Sequence, residues 1–139
     1  TTMTTHLPDH EPADVALHVL VSAAITLVLL IALWPPAAVY WTALADRVGD
    51  PPTLALVALL SVSLGTWLAR TADFGPAVIL VGGLLAYAVG MAGIEVALTP
   101  DSPAHLVLYA LLLGGLLAGA ALWWLARRFA AASRSRRAP

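Results

Sequence analysis

Four apolar stretches, each close to the length that crosses a lipid bilayer, take up most of this chain. They cover residues 13–34, 53–69, 77–98 and 104–125, and the second is the shortest. A hydrocarbon core about 30 Å thick requires about 20 apolar residues at a rise of 1.5 Å per helical residue. The sequence therefore predicts an all-α fold, a polytopic membrane protein built as a bundle of four transmembrane helices.

The composition supports this division into spans. Charged residues make up 11% of the chain and hydrophobic residues 60%, whereas about a quarter of the residues in a soluble domain are charged. Almost every charge lies outside the four stretches. We predict one membrane domain over residues 13–128, preceded by an acidic, histidine-containing cytoplasmic tail (1–12) and followed by a basic cytoplasmic tail (129–139).

Several kinds of chemistry are excluded by residue types that the chain lacks. Without cysteine there is no disulfide, thiolate metal site or cysteine nucleophile, and without lysine there is no Schiff base. Motifs for serine nucleophiles, phosphate-binding glycine loops and metalloprotease helices are also missing. Catalysis needs preorganised polar groups, and the spans contain few. We therefore expect a protein that is not an enzyme and has no cofactor.

The arginines predict the orientation of the spans. Arg70 follows the second span, and Arg127 and Arg128 follow the fourth. Because basic residues near span ends are retained in the cytoplasm, we predict a multi-pass protein of the cell membrane with both termini cytoplasmic. Its basic carboxy-terminal tail is expected to attract anionic lipid, at about 1 kcal/mol per residue, and not nucleic acid. The lipid bilayer is thus its first expected partner.

Prolines and aromatic residues mark the outer side. Pro35-Pro36 lacks two backbone donors and should end the first helix, leaving Ala37–Leu44 as a short interfacial segment. Trp34 and Trp41 lie at this level, where indole rings favour the headgroup region.

An internal repeat is one interpretation of the second and fourth spans. Residues 50–70 begin with an acid and prolines and end in Trp-Leu-Ala-Arg, and residues 101–127 follow the same pattern. A duplicated two-helix hairpin, with its axis along the membrane normal, would explain the similarity. Alternatively, any helix descending into the cytoplasm favours an acidic start and a Trp-Arg finish.

Small residues spaced four apart predict how the helices pack, because they allow close approach of two backbones in lipid. We interpret them as contacts within a compact bundle in preference to a dimer interface. Four short helices bury little of their own surface, however, so a homo-oligomer or a complex with other membrane subunits is also expected. The predicted packing residues are Ser61, Gly65, Gly82, Ala86, Gly90, Gly115 and Gly119 in the second, third and fourth spans.

Glu95 is a carboxylate inside the third predicted span. Ionisable groups within a membrane are costly and are functional by default, so Glu95 is a candidate proton or cation site. The alternative is that it reaches the headgroups, since only about 5 Å of helix separates it from the span end. Tyr87 lies on the same helix face, and His105 begins the next span at a similar depth. We therefore predict a polar contact between Glu95 and His105.

The amino-terminal tail contains a possible metal site. Imidazole and carboxylate groups together suit zinc, copper or nickel, and a spacing of four aligns ligands on one helix face. Pro8 and Pro12 would interrupt a helix before Asp14, the third candidate ligand. A flexible acidic tail is therefore the competing interpretation. The candidate ligands are His6, His10, Asp14 and His18.

Three functional hypotheses follow. The first is a non-catalytic protein that acts through helix packing, as a subunit or partner in a membrane complex or as a homo-oligomer. The second is a small oligomeric channel or transporter that uses Glu95. The third is a metal-binding membrane protein that uses the tail histidines. Side chains that would line a transport path in the second are Glu95, Tyr87, Tyr109, Ser61, Ser63 and Thr66.

Overall fold

A computed structural model of the chain describes residues 12–36 and 39–136, and over these two ranges it contains five α-helices and no strand. Four of the helices are long and apolar enough to cross a membrane, as the sequence predicts, and the short α2 is the exception. The all-helical fold class is therefore confirmed. The helices are α1 (Pro12–Leu33), α2 (Val39–Val48), α3 (Asp50–Thr71), α4 (Pro76–Leu98) and α5 (Ala104–Ser135).

Two helices are longer than the apolar stretches indicate. Helix α3 has 22 residues, as many as α1, because Pro51 and Pro52 fit its first turn, where backbone N–H groups have no intrahelical partner. The helix that contains the second apolar stretch is therefore no shorter than α1. Helix α5 has 32 residues and continues to Ser135, since alanine and arginine are good helix formers. The predicted tail at 129–139 therefore begins as helix.

The long helices form two close pairs, α1 with α4 and α3 with α5. Both pairs run parallel, because residue numbers at the contacts increase together along the two helices. Ser22 lies beside Gly82 and Leu27 beside Gly90, and the contacts between α3 and α5 follow the same order. Helix α4 also contacts α5, and α1 contacts α3 much less. Each close pair joins corresponding helices of the two predicted hairpins, whose duplication stays a prediction.

The two ends of the bundle differ in character. The α2 end contains α2 and the connection between α4 and α5, whereas the arginine end carries Arg70, Arg127 and Arg128. Only Gly49 separates α2 from α3, and its φ of 91° is a left-handed backbone conformation that side chains disfavour. A sharp turn is therefore possible without a longer loop.

All four long helices contribute side chains to the interior. The larger cluster of buried residues includes Leu30 of α1, Val57 of α3, Met91 of α4 and Leu116 of α5. A smaller cluster, built on Ala69, Ile79 and Ala120, lies towards the arginine end. The bundle is thus a packed core and positions its polar groups at helix contacts and helix ends.

Candidate functional site

Helices α3 and α5 meet along a seam of small residues, which is the most extensive helix contact among the described residues. A Cβ added at Gly65 would lie 2.7 Å from the Cα of Leu116, and one at Gly119 would lie 2.8 Å from the backbone nitrogen of Thr66. Side chains cannot approach a backbone so closely, so both positions require glycine. The seam brings together the predicted packing residues Ser61, Gly65, Gly115 and Gly119.

Two hydroxyl groups cross this seam. The Ser61 hydroxyl is fully buried and donates to the carbonyl oxygen of Leu112 at 3.1 Å. The Thr66 hydroxyl lies 3.0 Å from the carbonyl oxygens of both Val62 and Gly119, so its proton is shared within α3 and across to α5. Such bonds fix the register of two apolar helices, because a shift along the axis would leave the hydroxyls unpaired.

The second pair of helices, α1 and α4, also packs through small residues. A Cβ on Gly82 would lie 2.6 Å from the Ser22 hydroxyl oxygen, and one on Gly90 would lie 2.9 Å from Leu27. Ala86, one turn from each glycine, is buried. The hydroxyls of Ser22 and of Thr26, another buried α1 residue, have no hydrogen-bond partner among the described residues. No local sequence pattern indicates that these two hydroxyls are buried.

Aromatic side chains satisfy the last carbonyl groups of α1. Pro35 and Pro36 follow the helix and have no N–H to donate. In their place, the Tyr40 hydroxyl donates to Ala32 at 3.1 Å and the Trp41 indole to Leu33 at 2.6 Å.

The next carbonyl, that of Trp34, accepts a hydrogen bond from the Tyr109 hydroxyl of α5. Trp34 also stacks on Trp41, with ring centroids 5.8 Å apart. Two consecutive prolines followed by aromatic residues are a local signal for the first two caps. The contribution of Tyr109 comes from a distant segment, and no local pattern indicates it.

Glu95, His105 and Tyr87 meet where α4 and α5 come together at the α2 end. The imidazole Nε2 of His105 lies 3.0 Å from the Glu95 carboxylate, so the predicted contact is present. The Tyr87 hydroxyl donates to the carbonyl oxygen of Leu106 at 2.9 Å. These contacts tie the end of α4 to the first turn of α5.

The contact between Glu95 and His105 is electrostatic and does not include a hydrogen bond. Although the two atoms are close, Nε2 of His105 forms no hydrogen bond with the carboxylate. The other ring nitrogen lies 3.1 Å from the carbonyl oxygen of Ser102, which can only accept. The pair becomes an ion pair when the imidazole carries its second proton. Half of the Glu95 side chain is exposed, so the carboxylate faces the surroundings and not the bundle interior.

The predicted metal ligands fall only partly within the described chain. His6 and His10 lie outside the described residues. Asp14 and His18 are both exposed on the first turns of α1, and Nδ1 of His18 lies 2.7 Å from the backbone carbonyl of Asp14. Between residues 12 and 136, as far as they are described, no three metal-binding side chains come together. The tail metal site stays a prediction.

Comparison of the chain with protein-family models, with curated proteins and with solved structures gives no match.

Proposed function

We propose that the chain is a non-catalytic integral membrane protein that acts by packing against other membrane-spanning chains, in the first place a second copy of itself. Four helices of sufficient length and hydropathy support its insertion in a bilayer. Arginines clustered at one end of the bundle support a place in the cell membrane with that end, and both termini, in the cytoplasm.

The observation that carries this proposal is a second set of small residues on α5. The first set, Gly115 and Gly119, is occupied by α3. The second set consists of Ala110, Gly114 and Ala118, spaced four apart and exposed. A Cβ built on Gly114 would meet nothing within 4 Å. Helix α5 therefore offers another helix a smooth surface of the kind that allows close packing in lipid.

A second copy suits this surface because of orientation. Within one chain, α3 and α5 pack in parallel through small residues. Two copies inserted with the same topology present their α5 helices in parallel as well, so a two-fold axis along the membrane normal relates identical surfaces. The exposed set on α5 can thus repeat between copies the type of contact that its inner set makes within a copy.

Substituting Gly114 with leucine tests the proposal. We expect the wild-type protein to be a dimer in mild detergent by native mass spectrometry, and Gly114→Leu to raise the dissociation constant at least tenfold, because leucine holds the two backbones apart. Gly93→Leu is the matched control, since Gly93 is an exposed glycine of α4 with equally open space. A monomeric wild type, or equal dimerisation of all three proteins, would contradict the second-copy proposal.

A transport path through the bundle is less well supported by the positions of its candidate residues. Each hydroxyl that would line it donates to a backbone carbonyl, and Ser61 is buried whereas Ser63 is exposed. The hydroxyls of Thr66, Tyr87 and Tyr109 likewise donate to backbone carbonyls.

Glu95 is the charged residue through which transport can be tested. We expect proton or cation flux into vesicles containing the wild-type protein to equal the protein-free background, and Glu95→Gln to leave it there. The substitution should also change the free energy of unfolding by less than about 1 kcal/mol, because half of the Glu95 side chain is exposed and charged contacts at exposed groups contribute little. Flux above background that is lost in Glu95→Gln would make the channel the better hypothesis.

A further inference from the structure

An open groove lies beside α5 at the arginine end of the bundle. It has a volume of about 630 Å³ and is bounded by Pro76 at the start of α4 and by α5 residues on one side of the helix. The groove exists because α5 continues past the level at which α4 begins. Its wall is apolar at Ala121, Trp124 and Leu125 and becomes basic at Arg127 and Arg128.

The two arginines of the groove lack a countercharge in the described part of the chain. Neither Arg127 nor Arg128 forms an ion pair there, and the contact between Glu95 and His105 lies at the opposite end of the bundle. Arg70 is engaged elsewhere, with its guanidinium 5.9 Å from the ring centre of Trp123. Within the described residues both guanidinium groups are therefore available to an anion at the groove, and their planar donors match phosphate oxygens.

The start of α4 adds to the positive potential of the groove. Pro76 occupies the first turn, and no side chain caps this helix end. The first backbone N–H groups of a helix carry partial positive charge, which favours an anion nearby. This contribution supports the arginines and would not define a site without them.

We propose that the groove binds a phospholipid with an anionic headgroup, its phosphate between Arg127 and Arg128 and an acyl chain along Ala121, Trp124 and Leu125. The change from an apolar to a basic wall over one turn of helix matches the boundary between acyl chain and headgroup. A free phosphate ion would use the arginines alone and leave the apolar wall uncovered. The indole of Trp124 also suits this level, since tryptophan favours the headgroup region.

Lipid retained by the purified full-length protein tests this site. In nanodiscs of mixed phosphatidylglycerol and phosphatidylcholine, we expect native mass spectrometry to show phosphatidylglycerol bound to the released wild-type protein. The amount of phosphatidylglycerol bound to the variant Arg127→Gln/Arg128→Gln should be at least tenfold lower than that bound to the wild type. Phosphatidylcholine should not replace it in either protein.

A matched variant separates the groove from the general attraction of a basic helix to an anionic surface. Arg134→Gln/Arg136→Gln also removes two charges, from the last turn of α5 and its C-cap residue, neither of which lines the groove. We expect this variant to retain lipid as the wild type does. Equal losses in both double variants would overturn the site in favour of unspecific attraction. Displacement of the lipid by millimolar inorganic phosphate alone would overturn the role of the apolar wall.

Discussion

Gly119→Ala is expected to lower the free energy of unfolding by about 2 kcal/mol. Overpacking a close contact costs about 1–3 kcal/mol. One atom that obstructs the new Cβ is the backbone nitrogen of Thr66, 2.8 Å away. A backbone cannot rotate aside as a side chain does, so α3 and α5 must separate. That movement also stretches the hydrogen bond from the Thr66 hydroxyl to the carbonyl of residue 119, now 3.0 Å long.

Unfolding by SDS in mixed micelles, followed by tryptophan fluorescence, measures this loss. Gly93→Ala is the control, because a Cβ at Gly93 meets nothing within 4 Å and alanine is the better helix former by about 1 kcal/mol. We expect this control to be as stable as the wild type or slightly more stable. For Gly119→Leu we expect no cooperative transition at all. If Gly119→Ala were as stable as Gly93→Ala, that result would contradict the close approach of the α3 and α5 backbones at Gly119.

Tyr109→Ala is expected to lower the free energy of unfolding by about 3–5 kcal/mol, the range for removing a large buried aromatic ring. Only 2% of Tyr109 is exposed, and its ring belongs to the larger buried cluster with Leu30 and Met91. Its hydroxyl donates to the carbonyl oxygen of Trp34. The alanine variant therefore loses both core packing and a cap at the end of α1.

Tyr109→Phe separates these two contributions. It keeps the ring and removes the hydroxyl, so we expect a loss of about 1 kcal/mol, which is typical of an interhelical hydrogen bond in a membrane. Tyr40→Phe is the matched control: half of Tyr40 is exposed, so surrounding polar groups can take over its bond to Ala32. The same SDS titration should show Tyr40→Phe unchanged. Equal losses of stability in the two phenylalanine variants would contradict the larger contribution assigned to the hydrogen bond of Tyr109.

Much of the candidate site could be predicted where its signal is local. The small residues at 61, 65, 115 and 119 recur at helical spacing, and the structure places all four in one seam. Glu95 and His105 flank a short connection between two helices, so their contact, now at 3.0 Å, follows from the sequence positions. The ends of α3 and α5 were harder to predict, because helices continue through polar residues that end an apolar stretch.

Other parts of the site have no such local signal. Gly114 and Gly115 are neighbours in an apolar helix, yet one is open and the other lies against Ser61. The hydroxyls of Ser22 and Thr26 are both buried, that of Ser22 against Gly82 of α4, and the sequence of their own helix does not reveal this. In each case the environment depends on which helix lies opposite, and that is a property of the whole bundle.

The sequence by itself determined the number of long helices, the proline break after α1 and the residues at which helices can approach closely. These are properties of short segments, set by apolar length, backbone donors and side-chain size. Only the tertiary structure decided that α1 pairs with α4 and α3 with α5, and that Tyr109 caps a carbonyl 75 residues away. The physical reason is that apolar faces are nearly equivalent in lipid, so the fit of side chains from distant segments, with their hydrogen bonds, selects the partners.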